Sequence, residues 1–102
     1  MPSPTELTSK QRAQLRSLAH HLKPVVQVGQ AGVTDAAVQS VLEAFNTREL
    51  LKVKVQEAAP EGPWETADAL VARIDGAHVA QTVGRVVVLY RPFPEKPEIK
   101  LV

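Results

Sequence analysis

The chain has 102 residues, 44% of them hydrophobic, enough for one domain with a modest core and too apolar for a wholly disordered chain. It has no cysteine, which excludes disulfides, thiolate zinc sites and cysteine nucleophiles together. The formal net charge is only +1, but it is unevenly spread: residues 1–54 carry seven Lys/Arg against four Asp/Glu, and residues 55–102 carry five against seven.

The N-terminal stretch MPSPTELTSK has no basic start followed by an apolar run, so no signal peptide is expected. No apolar segment approaches the roughly 20 residues that span a bilayer. A cytoplasmic protein with no membrane contact is expected, with residues 1–6 disordered.

Thr8-Ser9-Lys10-Gln11 matches a capping box, with Thr8 as N-cap and Gln11 reaching back. Leu15, Leu18, Ala19 and Leu22 then recur at helical spacing, predicting a one-faced helix that Pro24 ends. At about 100° per residue, Arg12, Arg16 and His20 fall within an arc of roughly 80°, away from that apolar stripe. Between Leu7 and Thr34 lie Lys10, Arg12, Arg16 and Lys23 and no acidic residue. Val25–Val28 reads as a short strand. It runs into Gly29-Gln30-Ala31-Gly32, after which Thr34 caps a second helix with the stripe Val38, Val41, Leu42 and Phe45. Val33 and Val38 fit a hydrophobic staple at its start.

Leu51 to Gln56 alternates strictly, predicting a strand with Leu51, Val53 and Val55 on one face and Lys52 and Lys54 on the other. Ala58 to Pro63 is a loop by composition. Pro63 suits the first position of a third helix with the stripe Ala67, Leu70, Val71 and Ile74, and Gly76 suits its stop. Val79–Val83 and Val86–Tyr90 are two more strands about a tight Gly84-Arg85 turn. Residues 93–102 form an extended tail. The order α-β-α-β-α-β-β predicts a single two-layer α/β domain with a four-stranded mixed sheet.

Catalytic patterns are scarce. GQAG has neither the spacing nor the following Lys of a P-loop, and it lacks the third glycine of a dinucleotide fingerprint. His20 and His21 are adjacent on a helix and point about 100° apart, unlike paired zinc ligands. Neither a metal, a cofactor, a small-molecule substrate nor an enzyme is expected. A small phosphoryl-transfer enzyme would have only His20, His21 and Asp35 near the loop.

Two readings of the glycine loop stand side by side. The glycines could simply build a tight strand-to-helix turn. Alternatively, they expose main chain at a helix start, where free N–H groups and the helix dipole favour an anion. A loop with two glycines three apart is also how one RNA-binding module clamps a backbone. The cations on the first helix and on the Lys52/Lys54 face tip the balance towards a track for phosphates. Gly32→Asp separates the two readings, provided Gly32 has a negative φ. Exposed aromatic rings are few, so recognition is expected to lean on backbone contacts and shape.

Leu7-Thr8 through Arg16, Leu18-Ala19-His20, Leu22-Lys23-Pro24, Val28-Gly29 with Gly32-Val33-Thr34, Glu49 to Lys54, and Gly84 with Val88 to Pro92 resemble the CRM domain (chloroplast RNA splicing and ribosome maturation). More narrowly, residues 7–92 resemble its small stand-alone bacterial YhbY-like members. The resemblance implies a fold similar to the C-terminal domain of bacterial translation initiation factor three. It implies RNA binding through Gly29, Gln30, Ala31 and Gly32 with Arg16, Lys23, Lys52, Lys54 and Arg91, and association with precursors of the large ribosomal subunit. One departure is that many relatives carry a basic residue between the glycines, where this chain has Gln30 and Ala31. A monomeric RNA-binding protein is the leading expectation; its site adds Arg12 and His20 to those positions. The alternative is a protein-interaction adaptor that uses the acidic third helix, with Trp64 as anchor.

Overall fold

A computed structural model describes residues 7–102; the disorder expected of residues 1–6 lies outside the described residues. The elements are α1 (Ser9–Ala19), β1 (Pro24–Val28), α2 (Asp35–Phe45), β2 (Leu50–Val55), α3 (Pro63–Ala72), β3 (His78–Val83) and β4 (Val86–Tyr90). Their order is the one the periodicities predict.

The sheet order is β1-β2-β4-β3. β1 runs parallel to β2, with α2 as the crossover that parallel pairing requires. β4 is antiparallel to both its neighbours, so the sheet is mixed. The alternation in β2 fixes its two faces. Leu51 and Val53 join Val26, Val28, Val87 and Leu89 under Val38, Val41 and Phe45 of α2 and Ala67 and Leu70 of α3, with Ile74 just beyond. Each such side chain contributes about 1.5–3 kcal/mol when fully buried, so this twelve-residue cluster is the main core.

The other face carries the smaller cluster of Leu15 and Ala19 from α1 with Leu50, Ala80, Val88 and Tyr90. The expectation of two layers therefore needs amending: α1 lies on one face of the sheet, and α2 and α3 lie on the other. Periodicity shows that a helix has an apolar side, not which face of the sheet that side covers.

The predicted caps form. Thr8 Oγ1 accepts from the Gln11 amide at 3.1 Å while Gln11 Oε1 accepts from the Thr8 amide at 2.9 Å, and Thr34 Oγ1 accepts from the Ala37 amide at 3.0 Å. Pro63 opens α3. Helix α1 ends at Ala19, short of Pro24, in a tightened turn where the Leu22 amide donates to the Ala19 carbonyl. Leu22 thus falls beyond the helix, and Leu18 points off the narrow strip that meets the sheet. Both are exposed, at 37% and 48%, rather than part of the core stripe predicted for them.

The tail has no regular structure but is firmly docked. Glu49, almost fully buried, accepts the backbone amides of Phe93 (2.6 Å), Glu98 (2.8 Å) and Ile99 (2.7 Å) with its carboxylate. Ile99 and Leu101 pack onto the smaller cluster. Gln14 of α1 donates to the Lys100 carbonyl and accepts from the Val102 amide.

Candidate nucleic-acid interface

The Gly29–Gly32 segment leaves β1 at the end where β2 finishes, since Val28 pairs with Val55. The Gly32 amide donates to the Gly29 carbonyl at 2.9 Å and closes a tight turn, and the Thr34 amide donates to the Gly32 carbonyl at 3.0 Å. Gly32 has φ +73°, in the region that L-residues with a Cβ avoid. The turn therefore does require glycine there, and Gly32→Asp would strain the backbone and report on folding as well as binding. Gln30 and Ala31 are exposed. Among the described residues their amides donate to no protein acceptor. The turn and the exposed main chain are thus two consequences of one geometry.

Beneath the loop, the Gln56 amide donates to the Val28 carbonyl at 2.9 Å. The Gln56 side chain lies so close to Gly29 that a Cβ on that glycine would stand 2.7 Å from its Oε1. Next to this contact is a depression lined by Gln27, Lys54, Gln56 and Arg85, with one acidic residue, Glu57, on its wall. Arg85 escapes a reading of the sequence that sees only a turn in Gly84-Arg85. Its Nε donates to the Val55 carbonyl at 2.8 Å and a terminal nitrogen donates to the Gln56 carbonyl at 2.7 Å. A second cation is thereby fixed beside Lys54.

Because α1 covers only part of its face, an open groove of about 390 Å³ remains between the helix and the sheet. Arg16, His20 and Lys52 line it, with Val86 and Val88 among its apolar residues. Val86 also borders the depression that holds Lys54, so the two hollows adjoin. Pro24 pairs with Lys52 across β1 and β2, which brings the chain that carries exposed Lys23 to the same edge.

Two of the predicted positions are placed differently. Arg12 lines a further depression with Trp64, Asp68 and residues of β3, which meets the groove at Gln81. Arg91 follows Tyr90, which pairs with Leu50 at the start of β2. That is about 16 Å along the strand from the loop end, at 3.3 Å per residue. Its Nε donates to the Asp75 carbonyl at 2.8 Å. The structure therefore brings together the loop, Arg16, His20, Lys52 and Lys54, places Arg12 in a hollow that adjoins the groove at Gln81, and leaves Arg91 outside that grouping. Among the described residues, no group of three His, Asp or Glu is placed to hold a metal ion, and no helix is long and apolar enough to cross a membrane.

A mixed four-stranded sheet, a glycine turn at the β1–α2 junction and a groove beside α1 that carries Arg16 and Lys52 define a small α/β domain. The model of the CRS1/YhbY (CRM) domain matches residues 7–91, and the chain belongs to that family. The chain is 42% identical over 95 residues to "Probable RNA-binding protein YqeI" of Bacillus subtilis, covering 93% of this chain and 98% of that one. It is 43% identical over 91 residues to a protein of Haemophilus influenzae named "RNA-binding protein", covering 89% and 91%. The solution structure of SAV1595 from Staphylococcus aureus superposes with a TM-score of 0.78 at 33% identity, covering 95% of this chain and all of that one.

Proposed function

We propose that this protein binds RNA, and that its target is ribosomal RNA in precursors of the large subunit, whose assembly it assists as a cytoplasmic monomer without catalysing a reaction. The observation that carries the reading is the adjacency of the exposed Gln30–Ala31 main chain to two cation-bearing hollows on one side of the sheet. Amides at the loop and the start of α2 suit a phosphate, while Lys54, Arg85, Lys52 and Arg16 supply charge for its neighbours. The names of the relatives in the family support RNA as the polyanion.

Neutralising about four phosphates of single-stranded RNA gives a slope of roughly −3 in log K against log salt. Anisotropy titrations of the protein with labelled RNA over a salt series measure it, and a flat response overturns the reading. At the loop, Gln30→Glu is expected to weaken and Gln30→Lys to strengthen binding by about two- to fivefold each, with the melting temperature unchanged because position 30 is exposed. Co-sedimentation with large-subunit precursors in lysates tests the ribosomal part.

One observation favours a second reading, that of an adaptor. Trp64 is 64% exposed at the start of α3, beside Asp68. Charge reversal on α3 would then abolish complex formation while loss of Lys52 and Lys54 would not.

A further inference from the structure

We propose that the groove beside α1 receives an unpaired nucleobase, whose flanking phosphates lie on the cations at its rim; this rests on the RNA reading above. A track for phosphates alone needs charge and water. This groove has a cationic rim but an apolar interior, made by Val83, Val86 and Val88 with Pro24. Val83 is 57% exposed although it sits within a paired strand. Apolar area of this kind gains by being covered, and a sugar-phosphate chain held by Arg16 and Lys52 would leave it wet. A base attached to that chain would cover it.

The dimensions suit a small ligand, since about 390 Å³ falls within the roughly 300–1,000 Å³ of ligand-sized clefts. Among the described residues no Phe, Tyr or Trp lines the groove, so beyond the His20 imidazole the base would rest on aliphatic and proline surfaces. Gln81 and His20, which also line it, offer the donors and acceptors that read a base edge. Continuity sets the path. Val86 joins this groove to the hollow of Lys54 and Arg85, and Gln56 joins that hollow to Gly29. Successive phosphates can therefore pass from the loop along Lys54 to Lys52 while one base turns inwards. A base in a continuous A-form duplex is stacked and paired and cannot enter. The ligand class is accordingly a single-stranded, looped or bulged segment.

Three RNAs of about a dozen nucleotides, within the span of a single-strand site, test this with the full chain at one salt concentration: a single strand, the same strand with abasic central positions, and a blunt duplex. The abasic strand is expected to bind at least about fivefold more weakly than the intact one, the lower bound for one stacked base, and the duplex more weakly still. Methyl NMR on the unmodified protein should show Val83, Val86 and Val88 shifting with the intact strand and not with the abasic one. Val83→Gln, a charge-neutral change at an exposed position, should remove most of the difference between the two strands. Equal affinities for intact and abasic strands, or methyls that stay still, overturn the base site while the RNA reading stands. Failure of all three RNAs to bind overturns both. If Val83→Gln does not fold, the NMR comparison on the unmodified chain decides.

Discussion

The side chain of Gln56 donates to the amide oxygen of Gln27 at 2.6 Å and lies under Gly29, so the glycine loop rests on a pair of glutamines, one in β1 and one just past the end of β2. The two glycines of the loop are consequently not equivalent. A Cβ at Gly29 would meet only the mobile end of Gln56, whereas one at Gly32 would meet Pro60 Cγ at 2.9 Å from a backbone with φ +73°. Gly29→Ala is expected to cost under about 1 kcal/mol, and Gly32→Ala about 1–2 kcal/mol from the left-handed conformation with the ring contact in addition. Urea denaturation of the two variants gives the order directly. A larger loss at Gly29 would mean that the glutamine pair is rigid.

The separation of Lys52 from Arg91 along the sheet yields a second expectation. Lys52→Ala should lower RNA affinity and reduce the magnitude of the salt slope by about 1, as for loss of one phosphate contact. Arg91→Ala should leave the slope unchanged, because its guanidinium is turned towards the Asp75 carbonyl at the far end of the sheet. A matching loss at both positions would extend the RNA path across the whole sheet.

Glu49 is a structural residue by its contacts. Its carboxylate accepts three tail amides, and bonds to a charged partner are the strong class. Glu49→Ala leaves those donors unmet and should cost about 2–3 kcal/mol. For a chain of this size that lowers Tm by roughly 10–20 °C. Circular dichroism melts check it, and hydrogen exchange should show the amides of Phe93, Glu98 and Ile99 opening first.

His78 makes stability depend on pH. Its ring stacks on Tyr90 with centroids 6.2 Å apart, and burial lowers its pKa from the ordinary 6.5. The unfolded imidazole takes up its proton near 6.5, and the folded one does so only at lower pH. Between those two values the unfolded chain binds more protons, so the stabilising contribution is complete above the unfolded pKa and is lost as pH falls through the folded one. Melting temperature should therefore drop on acidification from about pH 7.5 to 5.5, and His78→Gln should flatten that part of the curve. Tyr90 is shifted the opposite way, its phenol pKa raised by burial and then by the Glu49 charge, which favours its neutral hydrogen-bearing form.

Much of the fold was legible because its signals are local. Thr8 with Gln11, Thr34, Pro63 and the alternation of Leu51 to Val55 each declare an element through neighbours a few residues away. The glycine loop, and the cations Arg16, Lys52 and Lys54, were legible for the same reason. Other features were not, Arg85 on the Val55 and Gln56 carbonyls among them, and each depends on distant partners. That α1 takes the second face is set by Leu50 and Tyr90, some thirty to seventy positions on. Leu18 and Leu22 share the helical spacing of Leu15 but not its contact with the sheet. Arg91 belongs to the resemblance by sequence, yet the antiparallel β2–β4 pairing carries it to the other end. Glu49 looks like an ordinary surface acid until the tail returns over it.

That returning tail also moves the physical boundary of the domain. The family match stops at residue 91, and a chain cut there would keep every helix and strand. It would also take from the Glu49 carboxylate all three main-chain amides that it accepts from, and it would strip Gln14 of the strap along α1. The last eleven residues are therefore a closing clasp, and shortening the chain to the segment that the family match spans would loosen the helix that walls the groove.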